Sequence, residues 1–238
     1  MNAETENMAR NFFGFGRWDA PYWFIGPEQG GDDNSARAAA FSELQKKKSI
    51  PDGLCDCLEF HKAIQEERWH FKEPPDLQWT WKRLMLSLMT YLGTDSNDVS
   101  LINYQRACWG RTCGDTCVIE LSGLSFKSSH ESGEFYSEAE IDLKAKLRGF
   151  KQERINLIRE KVMGNDKKPE LVVLYGYSQE RYWKQIAKCD LPPRDAAKRA
   201  GNTVFVYASH PAAYGTGIDN SELKWRNLGQ SAARELMR

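Results

Sequence analysis

No charge of one sign dominates this chain. Thirty-three basic residues stand against 33 acidic ones in 238, so the composition supplies no global field that would draw it to a polyanion. A balanced total says nothing about local patches. No apolar run approaches the roughly 20 residues that span a bilayer. The polar stretch Met1–Arg10 lacks the apolar centre of a secretory signal. These absences lead to the expectation of a cytoplasmic protein, away from membranes, whose six cysteines are reduced thiols. Zinc-type cysteine spacing is also missing. Cys55 and Cys57 form a CxC pair, and Cys108, Cys113 and Cys117 lie close together, but neither group supplies two CxxC-like pairs or the four thiolates of an iron–sulfur site. The cysteines are therefore read as small buried apolar residues, with no metal and no cofactor assigned. There is no internal repeat and no low-complexity tract, and 41% hydrophobic residues over 238 suffice for a single domain, residues 1–238, with a full core.

Four short blocks rich in aromatic and β-branched residues stand out. They are 22–26 (Tyr-Trp-Phe-Ile-Gly), the run from Cys117 that ends in polar residues by Gly123, Leu171–Gly176 and 203–208. Each is bounded by turn formers and reads as a buried strand. Helical spacing, caps and stops predict helices over Ala36–Lys48 (capped by Asn34 or Ser35), Leu77–Leu92, Asn97 or Asp98 to Trp109, Asp142–Met163, about Ser178–Lys188, and Glu222–Met237. Residues 1–20 read as an irregular lead-in broken by Gly14 and Gly16, and 51–76 as a mixed segment with a break at Pro74-Pro75. Strands alternating with helices predict an α/β fold, a three-layer α/β/α sandwich around a central, mostly parallel four-stranded sheet.

In open α/β sheets ligands bind at the carboxyl ends of the strands. Two of these ends carry chemistry: Gly26-Pro27-Glu28-Gln29-Gly30-Gly31 after the first strand, and Ser209-His210-Pro211-Ala212 after the last. A carboxylate on one end and an imidazole on another form a candidate active site. The ordinary alternatives are a capping or solvated loop acid at Glu28 and a satisfied loop histidine at His210. Gly30 and Gly31 would let backbone approach a phosphate or sugar, or simply form a turn.

The order of these segments resembles the uracil-DNA glycosylase superfamily. In that family the first motif has the form Gly-x-(Asp or Asn)-Pro-(Gly or Tyr), and the last is His-Pro-Ser or similar. Gly26 and Gly30 match the glycines, and Glu28 falls on the water-activating position, with Glu and Gln29 replacing the usual Asp/Asn and Pro. His210-Pro211-Ala212 matches the histidine motif, whose imidazole stabilises charge on the departing base. Leu171–Gly176 resembles the strand and turn preceding that motif. For the residue that reads the flipped base the resemblance leaves two positions: Glu120, with Ser122 beside it, or Asn103 in Leu101-Ile102-Asn103-Tyr104. Glu120 is preferred, because its segment reads as a strand ending in a turn, whereas Asn103 fits a helix. Tyr214 falls where the family places a wedge that fills the space of the extruded base, although a tyrosine on a Gly-rich loop is also ordinary surface. Phe41 lies on an apparent helix and reads as core.

The resemblance implies a monomeric, cofactor-free glycosylase that acts on single- or double-stranded DNA, damaged or modified, and cleaves the N-glycosidic bond of a base taken out of the stack. An ionised Glu120 suits the amino group of cytosine and repels a uracil carbonyl; a protonated one does not. The substrate is thus uracil or a modified pyrimidine, such as a modified cytosine of phage DNA, in a setting of base-excision repair or antiviral defence. Two other classes fit the same residues. One is a non-catalytic DNA- or nucleotide-binding module, favoured by the Glu28-Gln29 departure; the other is a hydrolase of free nucleosides.

Overall fold

The computed structural model describes residues 1–28, 30, 33–47, 51–125, 138–164, 169–213, 215 and 218–238, with backbone alone at 51 and 138–145. In chain order the elements are α1 (Ala3–Asn11), β1 (Gly14–Gly16), β2 (Tyr22–Gly26), α2 (Asn34–Lys46), β3 (Leu54–Cys55), α3 (Cys57–Ala63), α4 (Trp79–Leu92), α5 (Asp98–Ala107), β4 (Thr116–Glu120), α6 (Glu138–Gly164), β5 (Leu171–Tyr175), α7 (Glu180–Ala187), β6 (Ala196–Ala200), β7 (Thr203–Ala208) and α8 (Glu222–Leu236). This is an α/β protein. Among the described residues no helix is long and apolar enough to cross a membrane.

The four strands expected from sequence form the middle of the sheet, in the order β4-β2-β5-β7, all parallel. Among the described residues the sheet is seven-stranded and mixed, which corrects the four-stranded expectation. At one edge β1 runs antiparallel to β4, and β3 pairs with β1; at the other, β6 runs antiparallel to β7. All three added strands carry weak local signals. β3 has two residues, and Ala-Ala-Lys-Arg-Ala in β6 lacks β-branched or aromatic side chains. The lead-in is likewise not irregular, since it holds α1 and β1. Gly14 and Gly16, read as breakers, are what permit β1: their φ angles are +132° and +100°, and a Cβ on either would lie 2.1 Å from a carbonyl oxygen of β4. The N-cap of α2 is Asp33, whose Oδ1 accepts the Ala36 N–H at 2.9 Å, rather than Asn34 or Ser35.

Parallel register aligns the strand ends. Gly26 is level with Glu120, Ile25 with Leu174, and Tyr175 with Ala208. Main-chain bonds continue the pairing one step further, from Leu121 N to Gly26 O (2.9 Å), Ser122 N to Pro27 O (3.0 Å) and Gly176 N to Ala208 O (3.0 Å). The strand order changes direction between β2 and β5, the position where doubly wound sheets open a crevice.

Each face of the sheet has its own buried cluster. Phe24, Val118, Val173 and Val206 pack with α1–α4 and α8 on one side, among them Phe41, wholly buried on α2 as expected. Trp23, Ile119, Val172 and Phe205 pack with Ile155 and Ile158 of α6 and Trp183 of α7 on the other. The alternation follows the period of two along each strand. Helices α4 and α8 meet across Gly229, where a Cβ would lie 2.2 Å from the Ser87 carbonyl oxygen and 2.8 Å from Thr90 Cβ. Gly229→Ala is therefore expected to destabilise the protein by about 1–3 kcal/mol through overpacking. A urea or thermal melt checks this; an unchanged midpoint would show that the helices part without strain.

Candidate functional site

The aligned strand ends bring Glu28, Glu120, Tyr175 and His210 together. Tyr175 is the last residue of β5, and its side chain lies across Gly26 of the neighbouring strand. A Cβ at residue 26 would fall 2.2 Å from the Tyr175 hydroxyl oxygen and ring. With that space open, the hydroxyl reaches the last residue of β4 and donates to Glu120 Oε1 at 3.2 Å. The same ring lies beside the His210 imidazole, with centroids 5.5 Å apart. Tyr175 therefore joins the base-reading candidate to the histidine. Ser122 sits just beyond Glu120, its Oγ accepting the Leu124 N–H at 3.2 Å.

Glu120 is 7% exposed, and its Oε2 is buried with no hydrogen-bond partner. Burial is the main cause that raises its pKa, to about 8, and the nearby Glu28 charge adds to it; the Tyr175 hydrogen bond and the Arg154 and Arg37 charges oppose it. Glu120 thus carries a proton at neutral pH, and Oε2 becomes a hydrogen-bond donor with nothing to bond. Glu28 is half-buried. Desolvation raises its pKa as well, and Lys151 works against that shift. The two neighbouring carboxyls have unequal surroundings: burial raises both pKa values, most strongly at the deeper Glu120, and at Glu28 the Lys151 charge opposes the rise.

The end of β4 is fixed from below by Arg154 of α6. Its buried guanidinium donates to the carbonyls of Glu120 (2.6 Å), Leu121 (2.9 Å) and Arg10 (3.3 Å) and lies over the Phe13 ring. Burial lowers its pKa to about 9, against which Glu120 acts. From α2, Asn34 clamps the following turn: its side chain donates to Ser125 O at 2.8 Å and accepts the Ser125 N–H at 2.9 Å.

His210 accepts the Ala212 N–H at Nδ1, 3.0 Å away. The ring proton therefore resides on Nε2. Burial lowers the imidazole pKa to about 4, so the ring is neutral at physiological pH and donates from Nε2. Its loop is fastened from two helices. Arg83 of α4 donates to Pro211 O (2.7 Å) and Asn220 O (2.9 Å). Lys224 of α8 donates to Ser209 Oγ (2.6 Å) and pairs with Asp195 at 2.7 Å.

Of the residues singled out in the sequence, Glu28, Glu120 and His210 converge, with Ser122 beside them. Gly30 is exposed, and a Cβ there would meet nothing within 4 Å. Asn103 does not join the group. It is exposed on α5, and the adjacent Tyr104 bonds to Asp115, which precedes β4, so this helix is anchored at the opposite end of the strand from Glu120. Gln29, Gly31 and Tyr214 lie outside the described residues. Sequence reasoning missed Tyr175, Arg154 and Lys151. Arg154 had a signal: it stands four residues after Phe150 and four before Ile158, within the apolar stripe of α6.

A cleft of about 470 Å³, lined by Leu44, Lys47, Cys55, Asp56, Glu59, Arg111 and Thr112, lies at the β3 edge of the sheet rather than at these strand ends. Its residues hold an ion pair, Asp56 with Arg111 at 2.7 Å, and no group shared with the strand-end cluster.

Because the Glu120 carboxyl is held neutral in the fold and ionises readily when unfolded, the folded state binds the extra proton between the two pKa values. Stability contributed at this residue then falls as pH rises from about 4.5 to about 8 and is level above that. Glu120→Gln, neutral at every pH, is expected to remove this decline. Urea midpoints of both proteins at about pH 5 and about pH 8 test it; a difference that does not change with pH would place the proton elsewhere.

Comparison of the chain with protein families, with curated proteins and with solved structures finds no match to any of them.

Proposed function

We propose that this chain is a monofunctional DNA glycosylase that hydrolyses the N-glycosidic bond of a flipped-out pyrimidine, uracil or a modified cytosine, and leaves an abasic site. The observation that supports it is the convergence of an ionisable carboxylate, a neutral imidazole donor and a buried, unsatisfied carboxyl at the ends of adjacent parallel strands. On this reading the Watson–Crick edge of the extruded base meets Glu120. Protonated Oε2 donates to cytosine N3 or uracil O4, so neutrality removes the repulsion that an ionised Glu120 would impose on uracil.

Cleavage of the C1′–N1 bond leaves positive charge on the sugar and an electron pair on the base. Glu28 faces the first: its carboxylate stabilises the oxocarbenium-like sugar and takes a proton from the attacking water. His210 faces the second, its Nε2–H donating to the base oxygen on which negative charge grows. The base leaves as an anion and is protonated by solvent. Since Nδ1 is engaged by Ala212, the imidazole serves as a fixed donor and not as a proton carrier. Lys151 opposes the desolvation that raises the Glu28 pKa and so favours its carboxylate form. No cofactor enters these steps. Repair of damaged DNA and defence against phage with modified DNA both call for such an activity, and the identity of the released base separates them.

Base release from duplex and single-stranded DNA carrying uracil, mismatched thymine, hydroxymethylcytosine or glucosylated hydroxymethylcytosine tests the proposal, read by alkaline cleavage and mass spectrometry. One base is expected to be released. Glu28→Gln is expected to cost roughly 10²–10⁴ in rate and His210→Ala roughly 10²–10³, each with an unchanged melting temperature. A folded protein silent on every substrate but retaining affinity for abasic DNA would turn the assignment toward a binding module.

A further inference from the structure

A second polar cluster lies away from the strand-end site. Cys57 and His61 stand one turn apart on α3, so their side chains share a face. His70 comes from the segment between α3 and α4, which Gln105 holds by donating to the Trp69 and Asp76 carbonyls at 2.8 and 2.9 Å. The three side chains meet with Cys57 Sγ 3.4 Å from His61 Nδ1 and 3.7 Å from His70 Nε2, and all three atoms lie within 4.8 Å of one another. Each residue is buried, none more than 7% exposed. Trp81 lies against both imidazoles, with centroids 5.6 and 6.1 Å away, and Phe15 and Phe60 flank His61. Gly110 gives the sulfur its room: a Cβ there would stand 3.1 Å from Cys57 Cβ.

Hydrogen bonding alone accounts poorly for this arrangement. Two imidazole nitrogens converge on one thiol, a weak donor and weak acceptor. His70 Nδ1 is buried without a partner, so this ring is withdrawn from water for a single sulfur contact. Tetrahedral zinc, with Zn–S near 2.3 Å and Zn–N near 2.0–2.1 Å, sets sulfur and nitrogen ligands about 3.6 Å apart. The two observed separations bracket that value. One sulfur and two imidazole nitrogens are a donor set for zinc rather than for magnesium or calcium, which favour oxygen.

We propose that Cys57, His61 and His70 bind one zinc ion, which clips α3 to the segment leading into α4. Binding replaces the Cys57 S–H bond by an S–Zn bond and releases that proton to solvent; His61 binds through Nδ1 and His70 through Nε2, each with its proton on the other nitrogen. Three protein ligands leave the fourth tetrahedral position to a solvent molecule. Among the described residues no fourth side chain of a ligating type joins the group. The ion would tie residues 57 and 61 to residue 70 across a stretch between α3 and α4 that has no helix or strand of its own. The site stands independently of the glycosylase assignment and shares no residue with it.

The test uses the full chain without a histidine tag. Metal content of the purified protein is measured by mass spectrometry, and the metal-free protein is titrated with Zn²⁺ and with Co²⁺. About one zinc per chain is expected, together with a thiolate-to-cobalt charge-transfer band in the near ultraviolet. Cys57→Ser and His70→Ala are expected to weaken zinc binding at least roughly tenfold and to abolish or shift the band, whereas Cys113→Ser, at an exposed cysteine, leaves both unchanged. Folded wild-type protein that gives no band and binds no zinc would overturn the proposal, as would a band that persists in Cys57→Ser. The wild-type titration decides the matter even if a variant does not fold.

Discussion

The Tyr175 side chain can reach Glu120 only because residue 26 has no side chain of its own, and much of the strand-end geometry follows from that constraint. A β-carbon at Gly26 would meet the phenol at 2.2 Å. Pushed aside, the ring would lose both the 3.2 Å bond to Glu120 and its place beside His210. The glycine that ends the first expected strand is therefore a window between two adjacent strands, and the phenol passing through it couples β4, β5 and the loop after β7.

Around this window lie two carboxyls in unlike surroundings, and among the described residues no counter-charge is bonded to the deeper one. Arg154 lies close by, yet its guanidinium is spent on three carbonyl oxygens and not on the Glu120 carboxylate. The arrangement fixes the main chain at the end of β4 while leaving the Glu120 side chain neutral. A bonded ion pair there would have kept Glu120 ionised and turned it into an acceptor only. Lys151, by contrast, faces Glu28 and favours its charge.

The four central strands were legible because each is largely an apolar block, and helices α2 and α4 to α8 because apolar spacing and caps agree; α1 and α3 lie in segments that read as irregular or mixed. The sheet's edges were not. β1 is held by pairing with β4 and made possible by two glycines that, read alone, argue against any strand; β6 is a polar, alanine-rich arm whose extended form comes from β7. At the site, Glu28 and His210 were visible because polar residues directly follow apolar runs. Tyr175 was not, since a tyrosine closing a hydrophobic strand looks like core until a neighbouring glycine is known to lie beneath it. The Cys57–His61–His70 group carries no paired-cysteine signature, because one thiol is completed by histidines of a helix turn and a distant loop.

The loop that carries His210 is gripped largely by its main chain. Arg83 takes hold of Pro211 O, and Asn220 of His210 O and Ala213 O, while Arg83 in turn holds Asn220 through its own carbonyl. Carbonyl oxygens are the same in every residue, so these fastenings are blind to which side chains the loop displays. A different side chain at the exposed Ala212 would leave these bonds, and with them the place of the imidazole, untouched.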